Sequence, residues 1–232
     1  MDWNKELFPL EWSQEISNYE EKLIVAKKIA ALAKDGDVIG FGSGSTSFLA
    51  TQEIAKRVKN EGLYISAIPT SNEIGLICAS LGIPVVTLNQ VKPDWGFDGA
   101  DEVSPDNWLV KGRGGAMFNE KLIMSNSPKT YIIVDQSKFV SRICEKFPIP
   151  VECVPAAYKS ATTKLYELGA DKVHLRLSGK SKDGPVITEN GNYILDATFS
   201  EVSHSLETEI KQIVGVLDSG LFIDYDIEVV TC

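Results

Sequence analysis

The sequence is poor in the residues that bind transition metals or form disulfide frameworks. Its only cysteines and histidines are Cys78, Cys144, Cys153, Cys232, His174 and His204. The cysteines show no CxxC spacing and no pairing with histidine, so a zinc site is not expected. Four scattered cysteines in a chain without a secretion signal are typical of reduced thiols, and we therefore predict a cytoplasmic protein.

The sequence also lacks long apolar runs and an excess of basic residues. No stretch approaches the roughly 18 uninterrupted apolar residues that a membrane helix needs, and the acidic, aromatic start does not resemble a secretion signal. The formal net charge is −9, whereas nucleic-acid binding needs clustered Lys and Arg. We therefore expect neither a membrane nor a nucleic acid as partner. A small anionic ligand needs only a few local donors and is compatible with this charge.

The chain does contain an ordinary supply of core residues, with 44% hydrophobic and 24% charged residues. This supply is enough for one large domain, or for one domain with a smaller companion. The first part of the chain repeats a strand, turn and helix order that is typical of a parallel sheet. The predicted helices are 20–33, 48–58, 73–81 and 116–125, and the predicted strands are 38–41, 64–68, 84–88, 95–98, 109–111 and 130–135.

The pattern changes after Pro148-Ile149-Pro150, where short strands and a hairpin signal predominate. Asn190-Gly191 favours a hairpin turn because it supplies the positive φ angles of a type I′ turn. The predicted strands are 151–154, 172–177, 185–188 and 193–197, the predicted helices are 158–168 and 206–213, and 220–223 is expected to return to the first domain. We therefore predict an α/β protein with a parallel Rossmann-like sheet domain (1–148 plus 219–232) and a smaller α+β, ferredoxin-like domain (149–218).

A glycine- and serine-rich loop, Gly42-Ser43-Gly44-Ser45-Thr46, lies between a predicted strand and a predicted helix. Glycines permit a tight turn, and N–H groups at the start of a helix attract anions. The loop lacks the lysine of a P-loop and the full dinucleotide spacing. It predicts a phosphate or carboxylate site, although a plain turn with serine caps explains the same residues nearly as well.

An acidic segment, Asp98-Gly99-Ala100-Asp101-Glu102, follows the predicted strand 95–98. Ligands of parallel α/β sheets gather at the carboxyl ends of the strands. Three neighbouring carboxylates suit proton transfer, hydrogen bonds to sugar hydroxyls or a magnesium ion. A solvated acidic turn is the alternative that the residues leave open.

A third segment, Lys111-Gly112-Arg113-Gly114-Gly115, leads into the predicted helix 116–125, which carries Glu120 just beyond its first turn. The arrangement places a cation and flexible backbone donors before a carboxylate. From the residues alone, Glu120 is better explained as a surface residue next to Lys121.

Taken in this order, the three segments resemble the ribose-5-phosphate isomerase A family. The Asp-Gly-Ala-Asp-Glu segment at 98–102 is the family's own, and the glycine-serine-threonine loop and the helical Glu-Lys pair match as well. Three further segments agree, and they are 133–138, 147–152 and 188–196. The resemblance extends from about Lys22 to about Phe222.

The resemblance implies an aldose–ketose isomerase that interconverts D-ribose 5-phosphate and D-ribulose 5-phosphate through a cis-enediolate. It implies that Glu120 is the base and that Lys111 stabilises charge on the substrate oxygens. It also implies that Asp98 and Asp101 orient hydroxyls, and that one of them assists ring opening or moves the proton between O1 and O2. The implied substrate-binding residues are Lys22, Ser43, Gly44, Ser45, Thr46, Asp98, Gly99, Ala100, Asp101, Lys111, Gly112, Arg113, Gly114 and Lys138. It implies no metal and no cofactor, because proton transfer needs no redox carrier, and a homo-oligomer, either a dimer or a tetramer.

Two departures and three alternatives accompany this resemblance. Arg113 stands where the family usually has glycine and is expected to face solvent, and Ser43 replaces the more usual threonine. A glucosamine-phosphate deaminase would be expected to use histidine, and a coenzyme A transferase would need a glutamate nucleophile in a different motif. A non-catalytic sugar-phosphate sensor could keep the loop and lose Glu120 and Lys111, so the presence of both favours catalysis.

Overall fold

A computed structural model describes residue 12, residues 15–179 and residues 183–232. The described residues form helices α1 (Tyr19–Ala30), α2 (Ser45–Glu61), α3 (Asn72–Ser80), α4 (Met117–Asn126), α5 (Tyr158–Glu167) and α6 (Leu206–Lys211). They form strands β1 (Val38–Phe41), β2 (Ser66–Pro69), β3 (Trp95–Asp98), β4 (Glu102–Val103), β5 (Leu109–Val110), β6 (Thr130–Ile133), β7 (Ile149–Cys153), β8 (Lys172–Leu175), β9 (Tyr193–Thr198), β10 (Val216–Ser219), β11 (Leu221–Phe222) and β12 (Ile227–Val230). Two short 3-10 helices span Gln136–Lys138 and Pro155–Ala157.

The chain divides into two compact units. Unit one comprises, among the described residues, the chain up to Gly99 together with Leu122–Ser137 and Asp226–Cys232. Unit two comprises Ala100–Lys121 and Lys138–Tyr225. The chain therefore passes from one unit to the other four times, and one of these boundaries falls inside α4.

Unit one contains a five-stranded parallel sheet with the strand order β12-β6-β3-β1-β2. This is a doubly wound order in which β1 and β3 are neighbours. The chain leaves β1 toward one edge of the sheet, and the strands that follow β3 lie toward the other edge. In such sheets, ligands bind at the carboxyl ends of the two strands where the order reverses. The strand order therefore predicts a ligand site at the residues that follow Phe41 and at Asp98.

The core of unit one explains why these segments form helices and strands. In α1, the buried residues Val25, Ala26 and Ile29 recur at helical spacing and face the interior. The strands contribute Phe41 and Phe97, whose rings meet edge to face with centroids 5.0 Å apart.

Unit two contains a four-stranded antiparallel sheet with the order β10-β7-β9-β8. Along the chain its elements run β7, α5, β8, β9, α6 and β10, which is the β-α-β-β-α-β arrangement of ferredoxin-like folds. A second, three-stranded antiparallel sheet has the order β11-β5-β4. The predicted fold class, a parallel α/β sheet with a smaller antiparallel α+β part, is confirmed.

Several predicted elements differ from the structure. The segment 84–88 makes only one bridge, between Val85 and Ala67, and 185–188 makes only the bridge between Pro185 and Leu177. The segment 220–223 does not join the parallel sheet, because β11 pairs with β5. The chain returns to the parallel sheet through β12, which pairs with β6 and was not predicted.

The compact units also divide the chain differently from the predicted domains. Residues 100–121, 138–148 and 219–225 were predicted to lie in the larger domain, but they group with the antiparallel sheet of unit two. The reason is that β4, β5 and β11 form their own sheet, and that the carboxylate of Glu102 accepts hydrogen bonds from backbone at 144–147. That 149–218 forms a separate folding domain stays a prediction. Within the described part of the chain, no helix has the length and apolarity to cross a membrane.

Candidate active site

In unit one, the loop after β1 packs directly against the end of β3. The Oδ1 atom of Asp98 accepts hydrogen bonds from the backbone N–H of Ser43 (3.1 Å) and of Gly99 (2.7 Å). A methyl group at Gly42 would overlap both the carboxylate and the backbone of Asp98, so only glycine allows this approach. Asp98 is 3% exposed. The predicted loop 42–46 and the first two residues of the acidic segment, Asp98 and Gly99, therefore meet at the point where the order of the sheet reverses.

The same loop is fixed by hydroxyl groups at the end of β2. The Ser43 hydroxyl donates to Ser71 Oγ at 2.8 Å and shares a 2.7 Å hydrogen bond with Thr70 Oγ1. Gly44 follows with φ at +92°, a conformation that favours glycine, and its carbonyl accepts the N–H of Phe48 in the first turn of α2. The first N–H groups of a helix have no intrahelical acceptor, which makes this loop suitable for an anion.

Lys22 lies in α1, and its ammonium group reaches the same loop. It is 4% exposed, and its Nζ atom donates to Ser45 Oγ at 3.1 Å and to Ser17 Oγ at 3.2 Å. Asp135 provides the countercharge, with its Oδ2 atom 3.8 Å from the Lys22 Nζ. The structure therefore brings Lys22 and Ser45, two of the predicted phosphate-binding residues, into contact.

Asp135 is itself held in place from several sides. Its Oδ1 atom accepts hydrogen bonds from the Ser137 N–H (2.9 Å), the Ser137 hydroxyl (2.5 Å) and the Asn18 side chain (3.1 Å). Burial acts to raise the pKa of Asp135, but the hydrogen bonds from Ser137 and Asn18 and the charge of Lys22 outweigh it and lower the pKa. Asp135 is thus held as an anion that positions Lys22.

In unit two, Lys111 and Glu120 form a buried ion pair. Lys111 Nζ lies 3.3 Å from Glu120 Oε2, and the two residues are 2% and 6% exposed. Glu120 is the fourth residue of α4 and lies in its first turn, not beyond it as predicted. The expectation from the residues alone, that Glu120 is a surface residue, is wrong, because the pair with Lys111 lies in the interior.

The glycine loop between the two charges allows the chain to reverse. Gly112 has φ at +87°, and a Cβ atom there would lie 2.7 Å from Met117 Cβ. The N–H of Gly115 donates to the Gly112 carbonyl at 3.0 Å and closes a turn. Gly114 is exposed and has no neighbouring atom where a Cβ would lie.

The three acids of the segment 98–102 have three different partners. Asp98 accepts the loop amides described above. The Asp101 Oδ2 atom accepts the Arg113 N–H at 3.3 Å. Glu102 is fully buried and accepts the N–H groups of Cys144 (2.6 Å), Lys146 (2.5 Å) and Phe147 (2.8 Å). Among the described residues, no group of three or more acidic, histidine or cysteine side chains could hold a metal ion.

Two predicted substrate-binding cations lie over one aromatic ring of unit two. The Arg113 guanidinium carbon is 5.8 Å, and the Lys138 Nζ 5.5 Å, from the centroid of Phe147. Arg113 is exposed, in agreement with its expected orientation, and Lys138 is half-buried. The ring belongs to the backbone segment that Glu102 holds, so Glu102 supports both cations indirectly.

The glycine loop is also supported by an arginine, Arg176, that was not predicted as a site residue. Arg176 makes a two-point ion pair with Asp196, at 2.8 Å and 2.5 Å, and also donates to the carbonyls of Gly112 (3.2 Å) and Arg113 (2.8 Å). The only sequence signal was Asp196, which ends the segment 188–196 that agrees with the family.

Within unit one, then, Lys22, Ser43, Gly44, Ser45, Thr46, Asp98 and Gly99 gather around the ends of β1 and β3. Within unit two, Asp101, Lys111, Gly112, Arg113, Gly114, Glu120 and Lys138 lie on or beside the loop that follows β5, and Ala100 precedes them as a half-buried residue. Each group contains residues that can bind an anionic, hydroxyl-bearing ligand, and unit two contains the buried pair that can move a proton.

The chain is similar to known proteins of one family over most of its length. Residues 66–232 match the family described as ribose 5-phosphate isomerase A (phosphoriboisomerase A). The ribose-5-phosphate isomerase A of Methanocaldococcus jannaschii is 44% identical over 213 residues, which cover 91% of this chain and 93% of the relative. The solved structure of the M. jannaschii protein has a TM-score of 0.88 at 43% identity and covers 92% of this chain and 95% of that one. A D-ribose-5-phosphate isomerase in complex with phospho-erythronic acid has a TM-score of 0.87 at 37% identity, with the same coverage. The chain therefore belongs to the ribose 5-phosphate isomerase A family.

Proposed function

We propose that this protein interconverts D-ribose 5-phosphate and D-ribulose 5-phosphate, with Glu120 as the base that transfers the proton. The observation that carries the proposal is the buried Lys111–Glu120 pair, with 3.3 Å between Nζ and Oε2, in a chain of this family. A general base must be held within reach of the proton that it removes, and the ion pair with Lys111 holds the Glu120 carboxylate in one place.

The reaction is a proton transfer in two halves. Glu120 removes the proton from C2 of the open-chain aldose, and the electrons of the C2–H bond form the C1=C2 double bond of a cis-enediolate. Charge develops on the substrate oxygens, where the Lys111 ammonium stabilises it. The protonated Glu120 then returns the proton to C1, while the hydroxyl proton moves from O2 to O1. The second half gives the ketose and restores the carboxylate.

Asp98 and Asp101 are proposed to orient the sugar hydroxyls, and Asp98 to assist the proton movement between O1 and O2. Support for Asp98 comes from its position at the end of β3, where backbone amides fix its Oδ1 atom. Gly99, Ala100 and the loop 112–114 are proposed to contact the substrate through their backbone.

The phosphate group of the substrate is proposed to bind at Ser43–Thr46, the start of α2, with Lys22 as the nearest cation. Support comes from the 3.1 Å hydrogen bond between Lys22 and Ser45. Lys138 and Arg113 are proposed to add further positive charge for a dianionic substrate. The phospho-erythronic acid bound to the related isomerase carries a phosphate and a carboxylate, which is the charge pattern that such a site suits.

The wider setting follows from this reaction. We propose a place in the non-oxidative pentose phosphate pathway, a cytoplasmic location, and assembly as a homodimer or homotetramer. The location is supported by the four free cysteines, of which Cys78, Cys144 and Cys153 are buried.

The test is ketose formation from ribose 5-phosphate by the purified protein, with and without EDTA, and with unphosphorylated ribose as the control substrate. We expect turnover that EDTA does not change and that depends on the phosphate. Loss of activity in EDTA would require a metal in the mechanism. Binding of ribose 5-phosphate without turnover would identify a sugar-phosphate sensor instead of an enzyme.

A further inference from the structure

Lys121, the residue after the proposed base, is buried rather than exposed to solvent. It is 7% exposed, although it lies on a helix next to charged Glu120. Its Nζ atom donates to Glu207 Oε1 (2.7 Å), to Asp218 Oδ1 (2.8 Å) and to the carbonyl of Leu221 (2.9 Å). An ammonium group has three protons, so these three acceptors satisfy it completely.

The acceptors of Lys121 are fixed by further contacts of their own. Asp218 Oδ1 also accepts the N–H of Ser219 (2.8 Å), and Asp218 Oδ2 accepts the Lys211 ammonium (3.0 Å). Glu207 accepts the hydroxyl of Tyr225 and the N–H of Ile223, at 3.0 Å and 2.8 Å. Each carboxylate that binds Lys121 thus has at least two further hydrogen-bond donors.

The segment 218–222, which receives Lys121, also holds Lys111. The Lys111 N–H donates to the carbonyl of Gly220 at 2.8 Å, and Leu221 pairs with Val110 in the sheet. The Phe222 ring lies near both ammonium groups, with its centroid 4.6 Å from Lys121 Nζ and 5.8 Å from Lys111 Nζ. Both members of the catalytic pair are therefore attached to the same five residues, Lys111 directly and Glu120 through the residue beside it.

We propose that Lys121 is a positioning residue, which fixes the first turn of α4 to the segment 218–222 and so sets the separation of the Glu120 carboxylate from Lys111. The inference rests on the proposed function, because positioning matters only if Glu120 transfers the proton. The three acceptors of Lys121 fix the rotation of the first turn of α4 about the helix axis and its position along that axis. Because Glu120 precedes Lys121 in this turn, the direction of its carboxylate is fixed as well.

Loss of this fixation is expected to affect the chemical step more than binding. Misplacement of a reacting group by about 1 Å can reduce a rate by about 100-fold. The phosphate-binding loop and Lys22 belong to unit one, whereas Lys121 and its three acceptors belong to unit two. A change at Lys121 should therefore lower kcat while KM stays nearly constant.

The test compares Lys121→Met with Lys211→Met in the full-length protein. Lys211 is a matched control because its ammonium binds the same Asp218 carboxylate but its side chain is half-exposed and does not lie on α4. For Lys121→Met we expect kcat to fall by about 10- to 100-fold and KM to change by less than about threefold. The deuterium isotope effect on kcat with C2-deuterated substrate should increase, since proton removal becomes more nearly rate-limiting. Lys211→Met should change kcat and the isotope effect much less than Lys121→Met, because Asp218 keeps its hydrogen bonds from Lys121 and from the N–H of Ser219.

Removal of one buried charge can also unfold the protein, so a second variant accompanies the first. The double variant Lys121→Met, Asp218→Leu removes the two most buried charges of the network, a change that proteins often tolerate, and Glu207 keeps its hydrogen bonds from Tyr225 and Ile223. We expect it to be folded and to keep the reduced kcat and increased isotope effect. A folded single or double variant with wild-type kcat and isotope effect would overturn the inference. An inactive wild-type protein would instead refute the proposed function, so the two failures are distinguishable.

Discussion

Glu102 gives the sharpest prediction about stability, because its carboxylate is fully buried and accepts three backbone N–H groups. Oε1 accepts those of Lys146 (2.5 Å) and Phe147 (2.8 Å), and Oε2 accepts that of Cys144 (2.6 Å). The substitution Glu102→Gln keeps the size of the side chain and replaces one oxygen by an NH2 group. If the amide oxygen keeps the first two partners, the NH2 group faces the N–H of Cys144.

The magnitude follows from this mismatch. A hydrogen bond to a charged group contributes about 1.5–3 kcal/mol, and a buried donor left without an acceptor costs about 1–3 kcal/mol. The two bonds that remain also weaken, because the acceptor is no longer charged. We expect Glu102→Gln to reduce the free energy of unfolding by about 3 kcal/mol, which corresponds to a fall in Tm of about 6–12 °C for a chain of this length.

The assay is thermal and urea unfolding followed by circular dichroism, with Glu145→Gln as the control. Glu145 lies in the same loop and accepts two hydrogen bonds from Ser141, but it is exposed. Its substitution is expected to change stability by no more than about 0.5 kcal/mol. A Glu102→Gln protein that unfolds at the same temperature as the Glu145→Gln protein would refute the stabilising role of the buried carboxylate.

Two further predictions concern unit one. Gly42→Ala should cost about 1–3 kcal/mol of stability and lower kcat/KM, because the new methyl group overlaps Asp98 and displaces the loop; unchanged kinetics and Tm would contradict the close approach. Asp135 has a folded-state pKa below its usual value. Its stabilisation should therefore be complete above the unfolded-state pKa of about 3.9 and be lost as the pH falls through the lower folded-state value. Asp135→Asn should lower Tm at pH 7, and its Tm should fall less than the wild-type Tm when the pH is lowered. An equal fall of Tm in both proteins would contradict the stabilising role of the Asp135 carboxylate.

The sequence was sufficient to predict the parts of the fold that are marked by local signals. The strands 38–41 and 95–98 agree with the structure to the residue, because each is a short buried run that is followed by glycine or acidic turn residues. The site segments after them were predicted for the same reason. The helix of residues 72–80 begins where Ser71, a good N-cap residue, accepts the N–H of Ile74.

Other elements depend on pairings that no local pattern reveals. Strand β12 was missed because its four residues, Ile227–Val230, become a strand by pairing with β6, almost 100 positions earlier. Conversely, Pro84–Leu88 has the composition of a strand but makes only one bridge. The compact units divide the chain differently from the predicted domains, because the sheet of β4, β5 and β11 joins distant parts of the chain. The domain boundaries themselves stay a prediction.

The burial of the charged site residues could not be predicted from the residues alone. Glu120 and Lys121 are adjacent charged residues on a helix, and adjacent charges usually face solvent. Lys121 can be buried because Asp218 and Leu221 accept its hydrogen bonds. These acceptors lie 97 and 100 positions further along the chain, so no local pattern reveals them. Only the resemblance to the family pointed to Glu120, and nothing in the sequence pointed to Lys121.

The central claim is that Glu120 moves the proton, and Glu120→Gln tests it most directly. The variant preserves the size of the side chain and removes the base, whereas Glu167→Gln changes an exposed helical glutamate and serves as the control. We expect Glu120→Gln to bind ribose 5-phosphate with nearly wild-type affinity by calorimetry and to lose about 10²- to 10⁴-fold in kcat, the usual contribution of a general base. Wild-type turnover in the Glu120→Gln protein would contradict the account.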